Sequence, residues 1–208
     1  TERIVVNVHH FATQITDYLK ENNNFNTDIR ISDESDKLLD TGGGIKKAQD
    51  LFDKKSPILI HNVDILSNVD LKRFYEAGIS NSNMESTTVD AVLLVSERKT
   101  KRYLLFDNSM RLVGWTNIET GEVRSPYPNL NPKDCKMYAF AGIHTISPRL
   151  FEMMDEDFPD KFGIIDFYLK ACKSHIIKGY VKENLKLLDV GKLDTLKEAE
   201  DFVQTRES

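Results

Sequence analysis

The chain has 208 residues, 40% hydrophobic and 29% charged, enough to bury one sizeable core and too polar for a bundle of membrane spans. Its formal net charge of −5 argues against a nucleic-acid backbone as the main partner, which needs a basic stripe, and leaves room for a small anionic substrate held by a metal and a few amides. No apolar run reaches the roughly 18 to 20 residues that cross a bilayer, no signal-peptide pattern opens the sequence, and Cys135 and Cys172 lie far apart without C-x-x-C spacing; no membrane association, zinc knuckle or disulfide framework is implied, and a cytoplasmic address is expected.

Residues 4–8 form a β-branched run, expected to be a strand covered on both faces within a parallel sheet. Phe11, Ile15, Tyr18 and Leu19 mark one face of a helix that the asparagine cluster after residue 21 ends. A second strand is expected over residues 28–32. Three consecutive glycines, Gly42-Gly43-Gly44, then open a segment in which Ile45, Ala48, Leu51 and Phe52 recur at helical spacing. Two explanations fit the glycines: a tight turn with a helix behind it, or main chain brought close to a nucleotide, since glycine leaves no side chain between backbone and ligand. Residues 57–61 read as a third strand running into Asn62-Val63-Asp64, and Leu71, Phe74 and Tyr75 mark a helix closing near Gly78. This alternation predicts a Rossmann-like, doubly wound α/β fold with a mixed, mostly parallel sheet. Ligands then belong at the carboxyl ends of the strands, where His9-His10, Asp33-Glu34 and Asn62-Asp64 fall.

A buried strand is expected at 91–95, followed by short apolar runs at 103–106 and 112–115 separated by Asp107-Asn108 and followed by Glu119-Thr120-Gly121-Glu122. These read as hairpins, a small antiparallel excursion over about residues 99–135 of a single domain spanning 1–208. A long strand follows at 136–147, a helix after Pro148, another marked by Ile164, Ile165, Tyr168, Leu169 and Cys172, strands at 176–181 and 186–190, and a closing helix through Leu193, Leu196, Ala199 and Val203.

Asp64 and Asp189 each end an apolar strand. Magnesium is commonly held by one or two carboxylates, with phosphate oxygens and water filling the other positions, so two acids meeting at one sheet edge suffice. The alternative is a pair of helix N-caps. His9 and His10, adjacent on a strand, point to opposite faces and cannot share one ion. No G-x-S-x-G elbow and no cysteine signature suggest covalent catalysis. Lys46 and Lys47 either attract phosphate or solvate the outer face of their helix. Tyr138, Phe140 and Gly142 either wall a sugar or belong to the core.

Taken together, Asn7-Val8-His9-His10, Ile31-Ser32-Asp33-Glu34, Leu39-Asp40-Thr41-Gly42-Gly43-Gly44-Ile45, Asn62-Val63-Asp64, Phe140-Ala141-Gly142-Ile143-His144 and Leu188-Asp189-Val190-Gly191 resemble the sugar-phosphate nucleotidyltransferases. The closest likeness is to the branch with N-acetylmuramate α-1-phosphate uridylyltransferase and mannose-1-phosphate guanylyltransferase-like proteins. The resemblance runs end to end and implies the nucleotide-diphospho-sugar transferase fold. It implies a Mg2+-dependent enzyme that joins the nucleoside monophosphate of a nucleoside triphosphate, UTP or GTP, to a sugar 1-phosphate and releases pyrophosphate, in cell-wall or surface-sugar precursor metabolism. By matching motif, Asp64 and Asp189 would be catalytic and hold the metal; Asp40, Gly42, Gly43, Gly44 and Asn62 would line the nucleotide; His10, Phe140 and Gly142 would meet the sugar. The partners would be those two small molecules, with no nucleic acid and no membrane, in a monomer or homodimer.

Two departures qualify the match. Relatives often carry W-x-D-x-G-T at the second acid, where this sequence has Leu187-Leu188-Asp189-Val190-Gly191-Lys192. The family's opening strand and G-x-G-T-R-L-x-P-type loop, which cradle the triphosphate, are not in the sequence, so the chain is expected to be N-terminally incomplete and a poor binder of metal and triphosphate as it stands. The alternatives are a non-catalytic sugar-nucleotide binding or regulatory module, which has no use for two metal carboxylates, and a Rossmann oxidoreductase, whose G-x-G-x-x-G spacing Gly42-Gly43-Gly44 does not follow.

Overall fold

The computed structural model describes residues 3–84, 88–191 and 196–204. In chain order the elements are β1 (Arg3–Val8), α1 (Ala12–Glu21), β2 (Asp28–Asp33), α2 (Asp40–Ala48), β3 (Ile58–His61), β4 (Ile65–Ser67), α3 (Leu71–Met84), β5 (Ala91–Ser96), β6 (Arg102–Phe106) and β7 (Leu112–Asn117). There follow β8 (Val123–Arg124), β9 (Lys136–Ile146), α4 (Phe151–Asp157), α5 (Ile164–Ala171), β10 (Ile177–Val181), β11 (Leu187–Asp189) and α6 (Leu196–Gln204). Packing divides the chain into two compact units, Thr1–Ser56 with Pro148–Lys170, and Pro57–Ser147 with Ala171–Ser208.

In the first unit β1 and β2 pair in parallel, from Arg3↔Asp28 to Val8↔Asp33, as a sheet of their own. The β-branched run therefore makes a strand, but not one covered on both faces: Val8 is buried while Ile4 is 41% exposed. At the far end of the pair, Arg3 and Arg30 both reach the Asp28 carboxylate, at 2.9 and 2.8 Å. Chiefly through the Arg3 hydrogen bond, this holds its carboxyl below the ordinary range. The α1 periodicity is real, yet the helix buries none of its residues, and Phe11 precedes it in the left-handed region at φ 56°. Asn23 to Asn26 all take left-handed φ near 50°, a conformation asparagine tolerates far better than Phe25 does. The interior of this unit is aromatic: Phe158 packs on Phe162 and Phe167 with ring centroids 4.7 and 5.4 Å away, and Phe52 stacks on Phe151.

The second unit is built on a seven-stranded sheet, β10-β5-β9-β6-β7-β8, with β3 also on β9. Five of its strands (β3, β5, β6, β8 and β10) run one way, and β7 and β9 run against them. The sheet is thus mixed and mostly parallel in strand direction. Its hydrogen-bonded ladders are nevertheless mainly antiparallel, because the long reversed strand β9 sits in the middle. β3 does not join β1 and β2, as a simple doubly wound order would have it, but lies along β9 from Ile58↔Ile146 to His61↔Ile143. The hairpins over 102–124 form the antiparallel excursion and are joined to this same sheet through β6 on β9. The sheet curls far enough for the bridge Arg111↔Lys178 and the bond from Gly179 N to Met110 O to tie the β6–β7 turn to β10.

β5 is buried along its whole length, as its uninterrupted Ala-Val-Leu-Leu-Val run requires. Phe74 of α3 packs with Val69, Val92, Leu94, Ala141 and Ile143 into the core beneath it. α3 does not close at Gly78 but continues to Met84. The bare face of Gly78 lies against Thr145 and Val92, an ideal Cβ there being 3.1 Å from Thr145 Oγ1, so this glycine brings the helix close to the sheet instead of ending it. Leu193 of the predicted closing helix lies outside the described residues. No helix among the described residues is long and apolar enough to cross a membrane.

Candidate active site

The two aspartates come together through a strand pair too short to show a period. β4 and β11 run antiparallel with Ile65 opposite Asp189, and Val190 N donates to Asp64 O at 2.8 Å, so Asp64, just before β4, is held beside Val190, just after β11. Asp64 leads into β4, not into a helix, and is no N-cap. Asp189 Oδ1 accepts from Gly191 N at 3.0 Å, a turn around its own chain. Both carboxylates are exposed.

Gly191 turns its bare face to both of them. An ideal Cβ on this glycine would sit 3.2 Å from Asp189 Oδ1 and 3.3 Å from Asp64 Oδ2. Two carboxylate oxygens thus converge on one small space that exists because residue 191 has no side chain. An all-oxygen pair open to solvent suits magnesium, which keeps several waters or phosphate oxygens and needs only one or two carboxylates. Among the described residues no group of three or more His, Cys, Asp or Glu gathers in the manner of a zinc or calcium cage.

The loop that delivers Asp64 is fixed to β9. Gly142 takes φ +75°, Asn62 N donates to its carbonyl at 3.1 Å, and Ile65 N donates to Asn62 O at 3.1 Å. The Asn62 carboxamide lies over Gly142, where an ideal Cβ would be 2.9 Å from Asn62 Nδ2. Gly142 is required twice over, by a backbone angle other residues rarely take and by this close approach. β3 and β6 occupy the same edge of β9, opposite β5, and Gly142 lies in the gap between them. Phe140 is half-buried, edge-on to the ring of His144 at 5.6 Å, with Arg98 Nη2 3.4 Å from its carbonyl. Tyr138 tilts against Phe106 at 6.2 Å and lines an open depression of 480 Å3 with Glu97, Tyr103, Ile118, Lys136 and Met137, which includes none of the other predicted residues.

In the first unit the glycine run lies inside α2, and the space its missing side chains leave is filled by protein. An ideal Cβ on Gly42 would be 2.9 Å from Phe162 O, and one on Gly43 would overlap Asp160 O. One on Gly44 would be 2.7 Å from both Asn7 Nδ2 and Glu34 Oε1. Two amides of the first helical turn are spent as well, Gly42 N and Gly43 N donating to Phe162 O at 2.9 and 3.2 Å. The glycine N–H groups therefore do not form a phosphate cradle. The exposed part of the segment is Asp40-Thr41, with Asp40 at φ 60° and its carboxylate 3.8 Å from Lys161. We expect Gly43→Ala to lower the unfolding free energy by about 1–3 kcal/mol in urea titrations despite alanine's better helix propensity, because its methyl meets main chain that cannot swing aside.

Lys46 Nζ donates to Phe158 O at 2.9 Å and Lys47 Nζ to Asp33 O, so both ammonium groups are engaged by protein. His9 and His10 do not point to opposite faces: β1 ends at Val8, the alternation ends with it, and the rings meet edge to face at 4.5 Å. His9 Nδ1 lies 2.6 Å from Glu34 O, so that nitrogen carries the proton, and His10 is exposed. Sequence reasoning quoted Gly191 within the second acid motif but gave it no role of its own, its signal being the D-x-G spacing at the end of β11. It placed Glu34 at a strand end and within the Ile31-Ser32-Asp33-Glu34 motif, likewise without a role.

No family model matches the sequence, and no characterised protein matches it by sequence. Solved structures do match its fold. The chain superposes on HddC from Yersinia pseudotuberculosis with a TM-score of 0.68 at 21% identity, over 97% of this chain and 79% of that one. It matches a UDP-glucose pyrophosphorylase complexed with UDP-glucose at 0.70 and 16% identity, over 99% and 81%. The match to the inositol-1-phosphate CTP transferase of T. maritima is 0.62 at 13% identity, over 93% and 72%. The fold is that of the sugar-phosphate nucleotidyltransferases.

Proposed function

We propose that the protein is a Mg2+-dependent nucleotidyltransferase that transfers the nucleoside monophosphate of UTP or GTP to a sugar 1-phosphate, supplying a nucleotide sugar for cell-wall or surface-sugar precursors. The observation that carries this reading is the convergence of Asp64 and Asp189 on the space left by Gly191. In the reaction an oxygen of the sugar 1-phosphate forms a bond to the α-phosphorus, the bond from that phosphorus to the α,β-bridging oxygen breaks, and pyrophosphate leaves with the electron pair. No protein nucleophile is needed, so the chain's work is to position two polyanions and offset their charge. Magnesium, when bound, neutralises phosphate charge and aligns the displacement.

Asp64 and Asp189 hold the metal. The Gly142–Asn62 contact sets the loop that carries Asp64; by the motif match Asn62 serves the nucleotide, and Gly142, Phe140 and His10 serve the sugar. The segment Asp40 to Gly44 faces the nucleoside through its exposed head, Asp40-Thr41, while Gly42, Gly43 and Gly44 let that head sit close to its own support. The test is pyrophosphate release by the full-length protein with magnesium, a panel of nucleoside triphosphates and a panel of sugar 1-phosphates. Turnover with one pair supports the reading; binding of a nucleotide sugar without turnover of any pair replaces it with a binding module. Gly191→Val, which fills the space between the carboxylates, should weaken Mn2+ binding measured by paramagnetic relaxation at least about tenfold while leaving the fold intact.

A further inference from the structure

The buried carboxylate of Glu34 has no part in the chemistry above. It is 1% exposed at the end of β2. Taking a carboxylate out of water is costly unless its oxygens are satisfied, and here both are: Oε1 accepts from Asn7 Nδ2 at 2.6 Å, and Oε2 from Leu39 N at 3.1 Å. The main chain of the same residue is equally committed. Its N–H donates to Val8 O at 2.7 Å, and its carbonyl accepts from Lys37 N at 3.0 Å and from His9 Nδ1 at 2.6 Å. Gly44 is what admits the carboxylate, since an ideal Cβ there would be 2.7 Å from Glu34 Oε1.

The donors to both oxygens are neutral. A core that needed only filling would be served as well by an apolar side chain, which often replaces buried charge without loss. What an apolar side chain could not do is hold the Leu39 amide. Leu39 immediately precedes Asp40, whose φ of 60° is a left-handed angle that persists only where its surroundings impose it. One carboxylate thus links the end of β1, the 34–39 loop and the head of the glycine helix.

We propose that Glu34 is a positioning residue that holds the Leu39–Asp40 turn in the conformation that meets the nucleoside. The inference rests on the nucleotidyltransferase reading and deepens it. Glu34→Ala in the full-length protein should raise KM for the nucleoside triphosphate roughly tenfold or more while kcat stays within about threefold, because the loss falls on binding and not on the displacement. The Leu39 amide should lose its protection, exchanging with deuterium on the order of a hundredfold faster. Glu34→Gln should restore KM to within about threefold of wild type, since with the Asn7 carboxamide turned over Gln can accept from Leu39 N and donate to Asn7 Oδ1.

If Glu34→Ala does not fold, Asn7→Ala removes only one donor, from an exposed strand residue, and should raise the same KM about two- to fivefold. Wild-type KM in Glu34→Ala, or in Asn7→Ala where that variant stands in, overturns the proposal. So does a loss confined to kcat, or a Glu34→Gln enzyme as impaired as Glu34→Ala. A wild-type protein that releases no pyrophosphate with any substrate pair overturns the proposed function, and this inference with it, whereas turnover with an unmoved KM overturns this inference alone.

Discussion

Asp64→Asn in the full-length protein should lower pyrophosphate release by about a thousandfold or more while changing the melting temperature little. The substitution keeps the shape of the side chain and removes the charge. Asp64 is exposed, and its backbone carbonyl, not its carboxylate, takes the Val190 N–H that joins β4 to β11, so the fold loses no bond. Asp189→Asn should behave similarly, because an Asn Oδ1 still accepts from Gly191 N and the turn survives. Each change leaves a single carboxylate at the gap beside Gly191, and Mn2+ titration should show weakened binding in both variants at protein concentrations where the wild type saturates. Full activity in Asp64→Asn would remove the metal assignment. Lost activity with undiminished Mn2+ affinity would move the two aspartates from holding the cation to some other task.

A second large effect is acid destabilisation through His144. Its ring is 2% exposed on β9, against Phe140, and burial pushes its pKa from 6.5 down to about 3. The unfolded chain takes up a proton at this residue as pH falls through 6.5, and the folded chain does not until about 3. Stability from this group is therefore fully present well above 6.5, declines as pH falls from 6.5 toward 3, and amounts to something on the order of 5 kcal/mol across that window. Urea unfolding at pH 7, 6, 5 and 4 should show a decline approaching about 1.4 kcal/mol per pH unit, and His144→Leu should flatten it whatever that change does to stability at pH 7. Asp28 and Asp33, held below 3.8 chiefly by hydrogen bonds from Arg3 and Ser35, lose their contribution only at lower pH, so they do not mimic the effect above pH 4. A pH slope unchanged in His144→Leu would show that other groups carry it.

Much of the fold was legible because it is local. Apolar runs of alternating or helical period follow from backbone geometry within a few residues, so β5, β9, α2 and α5 fall where the pattern puts them. Failures came where a local rule met a boundary or a partner. The His9–His10 alternation needs both residues in a strand, and β1 ends at Val8, before either of them. Gly78 reads as a terminator until Thr145 is known to lie against it. The stripe on α1 is helical as predicted but buries nothing, because periodicity states which residues share a face and not what lies opposite.

The site divides along the same line. Composition and order of residues by themselves determined that Asp64 and Asp189 stand at or just past the ends of apolar runs, that the three glycines belong to a helical segment, and that the elements succeed one another as an α/β chain. Only the tertiary structure decided that β3 lies on β9 rather than beside β2, and that a three-residue strand pair sets the two aspartates around Gly191. It also turned the glycine run from an open cradle into a packed seam with Phe162 and Glu34. The reason is physical: a residue's backbone preference and side-chain chemistry are properties of the residue and its near neighbours, whereas which distant strand pairs with it, and so which atoms fill the space a glycine leaves, is settled by the packing of the whole chain.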